Sequence, residues 1–362
     1  ESITISGGFE DAVKPGYTVM IKPNLIATPV AANSGATTNP YVCKAIADMV
    51  KERGAHPVIA ESSAIGKDTG DAMEKTGYNR LIDMGYDVID LKNYSAVSVP
   101  VEKGLILKEI EVYKPVTEAD AIISVPVLKT HDQLELTLGL KNMKGLLTDK
   151  DKRRFHKVGV IKGVIDLCSV FKPSYTVVDA TICQEGLGPL HGIPVQMNLV
   201  VSGSDPVAVD TIAGKLAMFD PRENPITVLA AESGLGTMNE TDIEVIGESL
   251  ENVQRRFIRF SEDERLQIPG LKLIYNEETC TGCRNGVLSS VFDMKNSGQL
   301  AELEGVTIIA GPGPLPDGVD TKKIVSVGIC CDEEVKRNSE YVHGCPPNNV
   351  FIIEAIKKVG NQ

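Results

Sequence analysis

The residues best suited to chemistry lie near the end of the chain. Cys280-Thr281-Gly282-Cys283 is a C-x-x-C pair, followed by Cys330-Cys331 and by Cys345-Pro346-Pro347. Thiolates three residues apart can reach one metal centre, and two later cysteines at turns complete a set of four. Four thiolates suit an iron–sulfur cluster or Zn²⁺. A zinc site with paired ligands usually has a second C-x-x-C or H-x-H arm. Here the second arm is Cys330 or Cys331 with a lone Cys345, which ranks a [4Fe–4S] cluster ahead of zinc. Adjacent Cys330 and Cys331 cannot easily serve one cluster together, so one is expected as a ligand and the other as a packed thiol. A dithiol redox pair is the third alternative, because Leu273-Ile274-Tyr275 reads as a strand just before Cys280; it leaves Cys345 without a role. The scattered Cys43, Cys168 and Cys183 read as small buried hydrophobes.

A second set of candidates follows apolar runs in the first 210 residues. Lys22-Pro23-Asn24 ends one run, where Lys22 can contact an anion and Asn24 can fix its geometry; the plain alternative is a Pro-Asn turn with a solvated lysine. Lys129-Thr130-His131 follows another by a few residues, a grouping unusual for a plain loop, with His131 and Lys129 as acid–base candidates and a structural histidine as the plain alternative. Lys141-Asn142-Met143-Lys144-Gly145 opens a basic stretch to Lys157 with seven Lys and Arg against two Asp. Such an island in an acidic chain can focus a polyanionic ligand. Lys150–Arg154 reads equally well as a solvated charged segment, and His156 could join the site. Asp179 closes an apolar run, a favoured catalytic position. Asp205 and Asp210 flank Pro206 and are cofactor-binding candidates, although Asp before Pro is also an ordinary helix N-cap. Gly186, Gly188 and Gly192 form a Gly-rich loop with neither dinucleotide-binding nor P-loop spacing, and no G-x-S-x-G or H-E-x-x-H occurs.

Short apolar runs alternating with helical patterns must position these groups. Runs 17–21, 56–60, 87–91, 121–125, 175–179 and 198–202 read as strands, and 108–112 as a half-exposed one. Asn39-Pro40 opens a helix closed by Gly54; further helices are expected over Gly70–Met84, over Gly159–Phe171 and from Pro206. This predicts an α/β fold, a mostly parallel or mixed sheet flanked by helices. Composition shifts near 262–272 and Pro269-Gly270 mark a boundary, giving a first domain over 1–265 and a smaller cysteine-containing α/β domain over 272–362, with strands near 306–309 and 324–327 and a last helix from Asn349 to Val359. The chain has 362 residues and a net charge of −12. That charge disfavours general nucleic-acid binding. No apolar run is long enough to span a membrane, and no signal peptide is visible, so a cytoplasmic location is expected. The start at Glu1 without Met reads as a trimmed terminus.

Four segments, Val19–Asn24, Ser124–His131, Gly139–Gly145 and Gly203–Asp210, occur in an order that resembles the domain-of-unknown-function family 362 over roughly residues 15–260. The resemblance implies an iron–sulfur association and the look of an anaerobe redox protein, although the run of closely spaced cysteines common in such members is absent. The combined expectation is an iron–sulfur protein that transfers electrons to or from, or reduces, an anionic small molecule or cofactor held by Lys22, Asn24, Lys141, Asn142 and Lys144, with Lys129, His131 and Asp179 at the reacting centre. Alternatives are a non-catalytic carrier or scaffold docking on a redox partner protein, and a zinc-stabilised anion-binding protein.

Overall fold

A computed structural model describes residues 1–26, 33–319 and 321–360. The chain divides into two units. The first comprises Glu1–His131, Leu136–Arg153 and Ile161–Ile258; the second comprises Asp132–Glu135, Arg154–Val160 and Arg259–Gln362. The first unit therefore ends a few residues before the expected boundary, and two short internal segments are counted with the second.

The strands in chain order are β1 (Thr18–Pro23), β2 (His56–Glu61), β3 (Asp87–Asp90), β4 (Ala96–Pro100), β5 (Glu109–Tyr113), β6 (Ala121–Val125), β7 (Val127–His131), β8 (Glu135–Thr137), β9 (Tyr175–Glu185) and β10 (Ile193–Gly203). The main sheet runs β3-β2-β1-β6-β9-β7-β8, with β10 antiparallel to β9. β1 is parallel to β2 on one side and to β6 on the other. Succession outward from β1 to β3 thus reverses between β1 and β6. In parallel α/β sheets such a switch point opens a crevice at the carboxyl ends of the strands, where ligands bind. β4 and β5 form a separate hairpin. The buried strand β6 matches the uninterrupted apolar run that a doubly covered strand requires.

Helix boundaries follow the capping chemistry. The Asn39 side chain accepts from Tyr41 N at 3.0 Å, Pro40 takes the first position, and the helix runs Pro40–Glu52. The expected helix over Gly70–Met84 is instead two, Thr69–Thr76 and Asn79–Asp83, because Gly77 takes a left-handed conformation at φ 87°. The segment Lys129-Thr130-His131, expected beyond the strand 121–125, lies in a strand of its own, β7. Pro126 has no N–H to continue β6, and the chain resumes beside the later part of β9, with Val127 opposite Asp179 and Lys129 opposite Gln184. Thr130 Oγ1 donates to Gly186 O at 2.9 Å.

In the second unit, β11 (Lys272–Ile274), β12 (Thr307–Ala310), β13 (Ile324–Val327) and β14 (Glu340–Val342) pair in sequence order, all parallel. Helices Thr281–Asn296 and Asn349–Gly360 bury Val287, Val291, Ile352 and Ile356 in one core with Ile308 and Val325. No helix of the described residues is long and apolar enough to cross a membrane.

One carboxyl of the first unit fixes a segment that matters below. Asp210, on helix Pro206–Leu216, accepts from Gly139 N at 2.7 Å and Leu140 N at 3.1 Å, holding the start of the short helix Gly139–Asn142. Burial pushes its pKa up to about 7, against the pull of those two N–H groups. Between pH 4 and 7 the unfolded chain has lost this proton while the folded chain keeps it, so stability falls as pH rises, and levels off above 7. Asp210→Asn removes that titration. The difference in unfolding free energy should therefore move in the variant's favour by about 2–4 kcal/mol from pH 4 to 7.5; urea unfolding at several pH values measures it, and a pH-independent difference would refute the assignment.

Candidate functional site

The switch point is built around a buried ion pair. Lys22, near the end of β1, donates to Glu61 Oε2 at 2.8 Å, to Pro23 O at 2.7 Å and to Asn142 Oδ1 at 3.3 Å. Both partners of the pair are almost fully buried. Burial pushes the Lys22 pKa down and Glu61 pulls it back. Glu61 also accepts from Leu25 N at 3.1 Å and Ser62 N at 2.8 Å. Asn142 donates to Lys22 O at 2.9 Å and Ser124 Oγ at 3.1 Å, joining the ends of β1 and β6, and accepts from Asn24 Nδ2 at 3.2 Å. Asn142 and Asn24 thus lie beside the ion pair, with Asn142 as its bridge.

Four further lysines belong to this region. Lys129 is 1% exposed and donates to Ala36 O at 2.5 Å. Burial first, then the charge of Lys141, drives its pKa well below the ordinary lysine value; Glu61 opposes the shift and Lys22 adds to it. Lys144 is likewise held well below its ordinary value by burial, then by Lys141 and Lys152. Lys141 thus acts on both. Lys152, expected in a solvated charged segment, is buried. It donates to Ser62 O, Ser62 Oγ and Ser63 O at 3.0, 2.7 and 2.7 Å, and burial brings its pKa down to about 8. Its neighbour Asp151 is buried too and accepts from Glu111 N, whereas Lys150 is exposed.

The carboxylates serve mainly as braces. Asp179 accepts from Asn39 N at 2.7 Å, Thr181 N at 2.9 Å and Thr181 Oγ1 at 2.7 Å, and burial raises its pKa. It anchors the entry to helix Pro40–Glu52 behind the site. Asp205 accepts from Val207 N, Ala208 N and Thr237 N, which makes it the helix cap that its position before Pro206 also allowed. Asp210 holds the helix carrying Lys141 and Asn142. His131 sits at the end of β7, nearly buried. His156 is counted with the second unit, where its carbonyl accepts from Cys345 N at 3.3 Å. Glu61 and Lys152 were not singled out from the sequence. A carboxylate closing the apolar run 56–60 was the available signal for Glu61; nothing local marked Lys152.

In the second unit, Cys280 is the N-cap of helix Thr281–Asn296, and Cys283 lies one turn inside it. The Cys283 thiol hydrogen-bonds both Cys280 and Cys330. These bonds lower the Cys280 pKa to about 6 and that of Cys330 to about 7, and raise that of Cys283. The Gly328 backbone, at φ 110°, lies against both sulfurs: a Cβ there would stand 2.8 Å from Cys283 Sγ and 3.7 Å from Cys330 Sγ. Cys331 turns the other way, its buried thiol donating to Val327 O at 3.2 Å, and burial lifts its pKa to about 11. The Cys345 loop adjoins both neighbours. Ile329 N donates to Gly344 O at 3.1 Å, and a Cβ on Gly282 would lie 3.1 Å from Pro346 Cγ. The Cys283 sulfur adjoins those of Cys280 and Cys330, but among the described residues no group of three or more His, Cys, Asp or Glu side chains is gathered as an ion requires. Cys43, Cys168 and Cys183 are buried, as expected.

Gly145 explains the end of the Lys141–Gly145 segment. An alanine Cβ there would lie 2.2 Å from Glu61 Oε1 and 2.6 Å from Lys22 Nζ. Gly145→Ala should lower the unfolding free energy by about 2–4 kcal/mol, since it forces apart a buried ion pair. Gly214→Ala, where the nearest atom would be Leu136 Cδ1 at 3.8 Å, is the control expected to be neutral or stabilising in the same denaturant titration. Equal effects would refute the steric account.

The fold and these sites can be set beside known proteins. The thylakoid-associated protein sll1697 of Synechocystis sp. (strain ATCC 27184 / PCC 6803 / Kazusa) is 30% identical over 250 residues, covering 66% of this chain and 74% of that protein. Among solved structures, the lactate racemase apoprotein from Thermoanaerobacterium thermosaccharolyticum aligns with a TM-score of 0.38 and 10% identity, over 57% of this chain and 51% of that one. The family described as Domain of unknown function (DUF362) matches residues 19–215, a span from β1 into helix Pro206–Leu216 that contains every lysine of the switch-point site, and the chain belongs to that family.

Proposed function

We propose that this chain is an iron–sulfur protein that binds an anionic small molecule at its switch point and takes part in electron transfer to or from that molecule or a redox partner. The observation that carries the anion site is the gathering of Lys129, Lys141 and Lys144 near the Lys22–Glu61 pair, where burial first and then the charge of Lys141 depress the protonation of Lys129 and Lys144. Burying like charges is unfavourable unless an anion compensates them. A phosphate- or carboxylate-bearing ligand supplies that compensation and raises the lysine pKa values on binding. Lys22 is already neutralised by Glu61 and acts as the frame rather than as a contact. Lys129 and His131, on the same strand, are the proton-transfer groups of this proposal, and Asp179 braces the segment beside them.

The centre in the second unit would be held by Cys280, Cys283, Cys330 and Cys345, with Cys331 as the packed thiol. A cluster there supplies one-electron transfer. The chain's own contribution is the preset backbone at Gly328 and the thiol grouping around Cys283. A second reading has its own support. Cys280 at a helix N-cap with Cys283 one turn on is also the arrangement of a dithiol–disulfide pair.

Metal and sulfide analysis of protein purified without oxygen separates the two. On the order of four irons and four sulfides per chain are expected, lost in Cys283→Ala and Cys345→Ala and kept in Cys331→Ala. Protein without iron after reconstitution, but with a reversible Cys280–Cys283 disulfide, would establish the dithiol instead. For the first unit, calorimetric titration with pyrophosphate and citrate should show binding that Lys144→Met weakens roughly tenfold, in line with the loss of one buried charge contact. Binding unchanged in Lys144→Met and Lys129→Met would refute the anion site.

A further inference from the structure

A cavity of about 560 Å³ lies in the first unit between the N-terminal helix Ser2–Ser6, residues 198–203 of β10, helix Pro206–Leu216 and the segment 242–253. Its volume is that of a small-molecule site. Leu199, Ile212 and Leu250 contribute apolar wall, and Ile5 and Ile246, also lining it, are left 43% and 52% exposed. Covering that surface favours an apolar guest. The hydroxyls among the lining residues are largely satisfied within the protein: Ser2 Oγ lies 2.8 Å from Ser202 Oγ, and Ser6 Oγ bonds Tyr175.

The charge of the wall is one-sided. Five Asp and Glu residues line the cavity, and no Lys, Arg or His does so among the described residues. Asp205 spends its oxygens on helix N–H groups, whereas Asp242, Glu244 and Glu248 stand exposed at the segment that forms one side. The backbone is shaped here as well. β10 shifts register between Gln196 and Leu199, and Asn198, at the cavity, takes φ 57°, a left-handed conformation uncommon outside glycine. Such bulges re-aim a strand and recur beside binding sites.

We propose that this cavity binds a small organic cation, an amine carried on an apolar body. The apolar wall takes the body, and the carboxylates of the 242–248 segment face the ammonium group. The lining that attracts a cation also repels the anion assigned to the switch point, so the two sites select opposite charges and stand or fall separately.

Calorimetric titration of the whole chain with octylamine, octanoate, octanol and ethylamine tests this. Octylamine should bind one per chain, roughly tenfold tighter than octanoate or octanol, with the preference shrinking at high salt because the carboxylates are exposed. Ethylamine, lacking the apolar body, should show no saturable binding. The double variant Asp242→Asn with Glu244→Gln should lose most of the octylamine preference with an unchanged thermal midpoint. The proposal is overturned if octylamine does not saturate, if octanol or octanoate binds as tightly, if ethylamine binds equally well, or if the double variant binds octylamine undiminished.

Discussion

The buried pair of Lys22 and Glu61 is the constraint around which the first unit is arranged. Two charges taken out of water are tolerable only when every remaining hydrogen-bonding position is filled. Here that requirement reaches into four segments. The N–H groups of Leu25 and Ser62 complete the carboxylate, while Pro23 O and Asn142 Oδ1 complete the ammonium. Asn142 in turn ties the ends of β1 and β6 together. The 139–145 turn must press close enough that residue 145 has no space for a side chain. Strand register, turn geometry and the placing of Lys141 and Lys144 are therefore set by one electrostatic condition.

That condition explains which parts of the site were legible in the sequence. Lys22 and Asn24 stand out because polar residues directly after an apolar run mark a strand end, and Lys141, Asn142 and Lys144 because they open a basic stretch in an acidic chain. Their convergence is topological, produced by β6 pairing with β1 on the side opposite β2. Glu61 lay in view as the end of a run but had no visible partner, since its lysine is 39 residues away. Lys129-Thr130-His131 stood out as polar residues following a buried run, but consecutive polar residues break both strand and helix periodicity and gave no sign of a further strand. In the folded chain all three are buried in β7, where both faces are covered and alternation is lost. Lys152 looked solvated inside a charged run, and only the carbonyls of Ser62 and Ser63 account for its burial.

The helices and the caps were more readable than the chemistry, because Asn39-Pro40 and Asp205-Pro206 carry local signals that need no tertiary context. Asp205 and Asp210, read as candidate ligand contacts, each accept from backbone N–H groups, Asp205 at the start of its own helix and Asp210 from Gly139 and Leu140. Among the cysteines the sequence could not separate Cys330 from Cys331. Their difference arises from the backbone at Gly328, whose positive φ lets the chain pass beside the sulfurs of Cys283 and Cys330 while Cys331 faces Val327. A side chain at 328 would occupy the space those sulfurs share.

Net charge does not say where the charged groups lie. The chain carries −12 overall, yet Lys22, Lys129 and Lys152 are buried in one region. An acidic surface repels long polyanions, whose binding depends on many exposed Lys and Arg contacts. On the proposal above, a small anion that enters the crevice meets lysines in surroundings of low polarity, where each charge acts more strongly and salt screens it less. The charge a ligand meets is then a property of the site rather than of the whole chain. Carboxylates are buried in the same unit, but Asp179 and Asp210 spend oxygens on backbone N–H groups of Asn39, Thr181, Gly139 and Leu140.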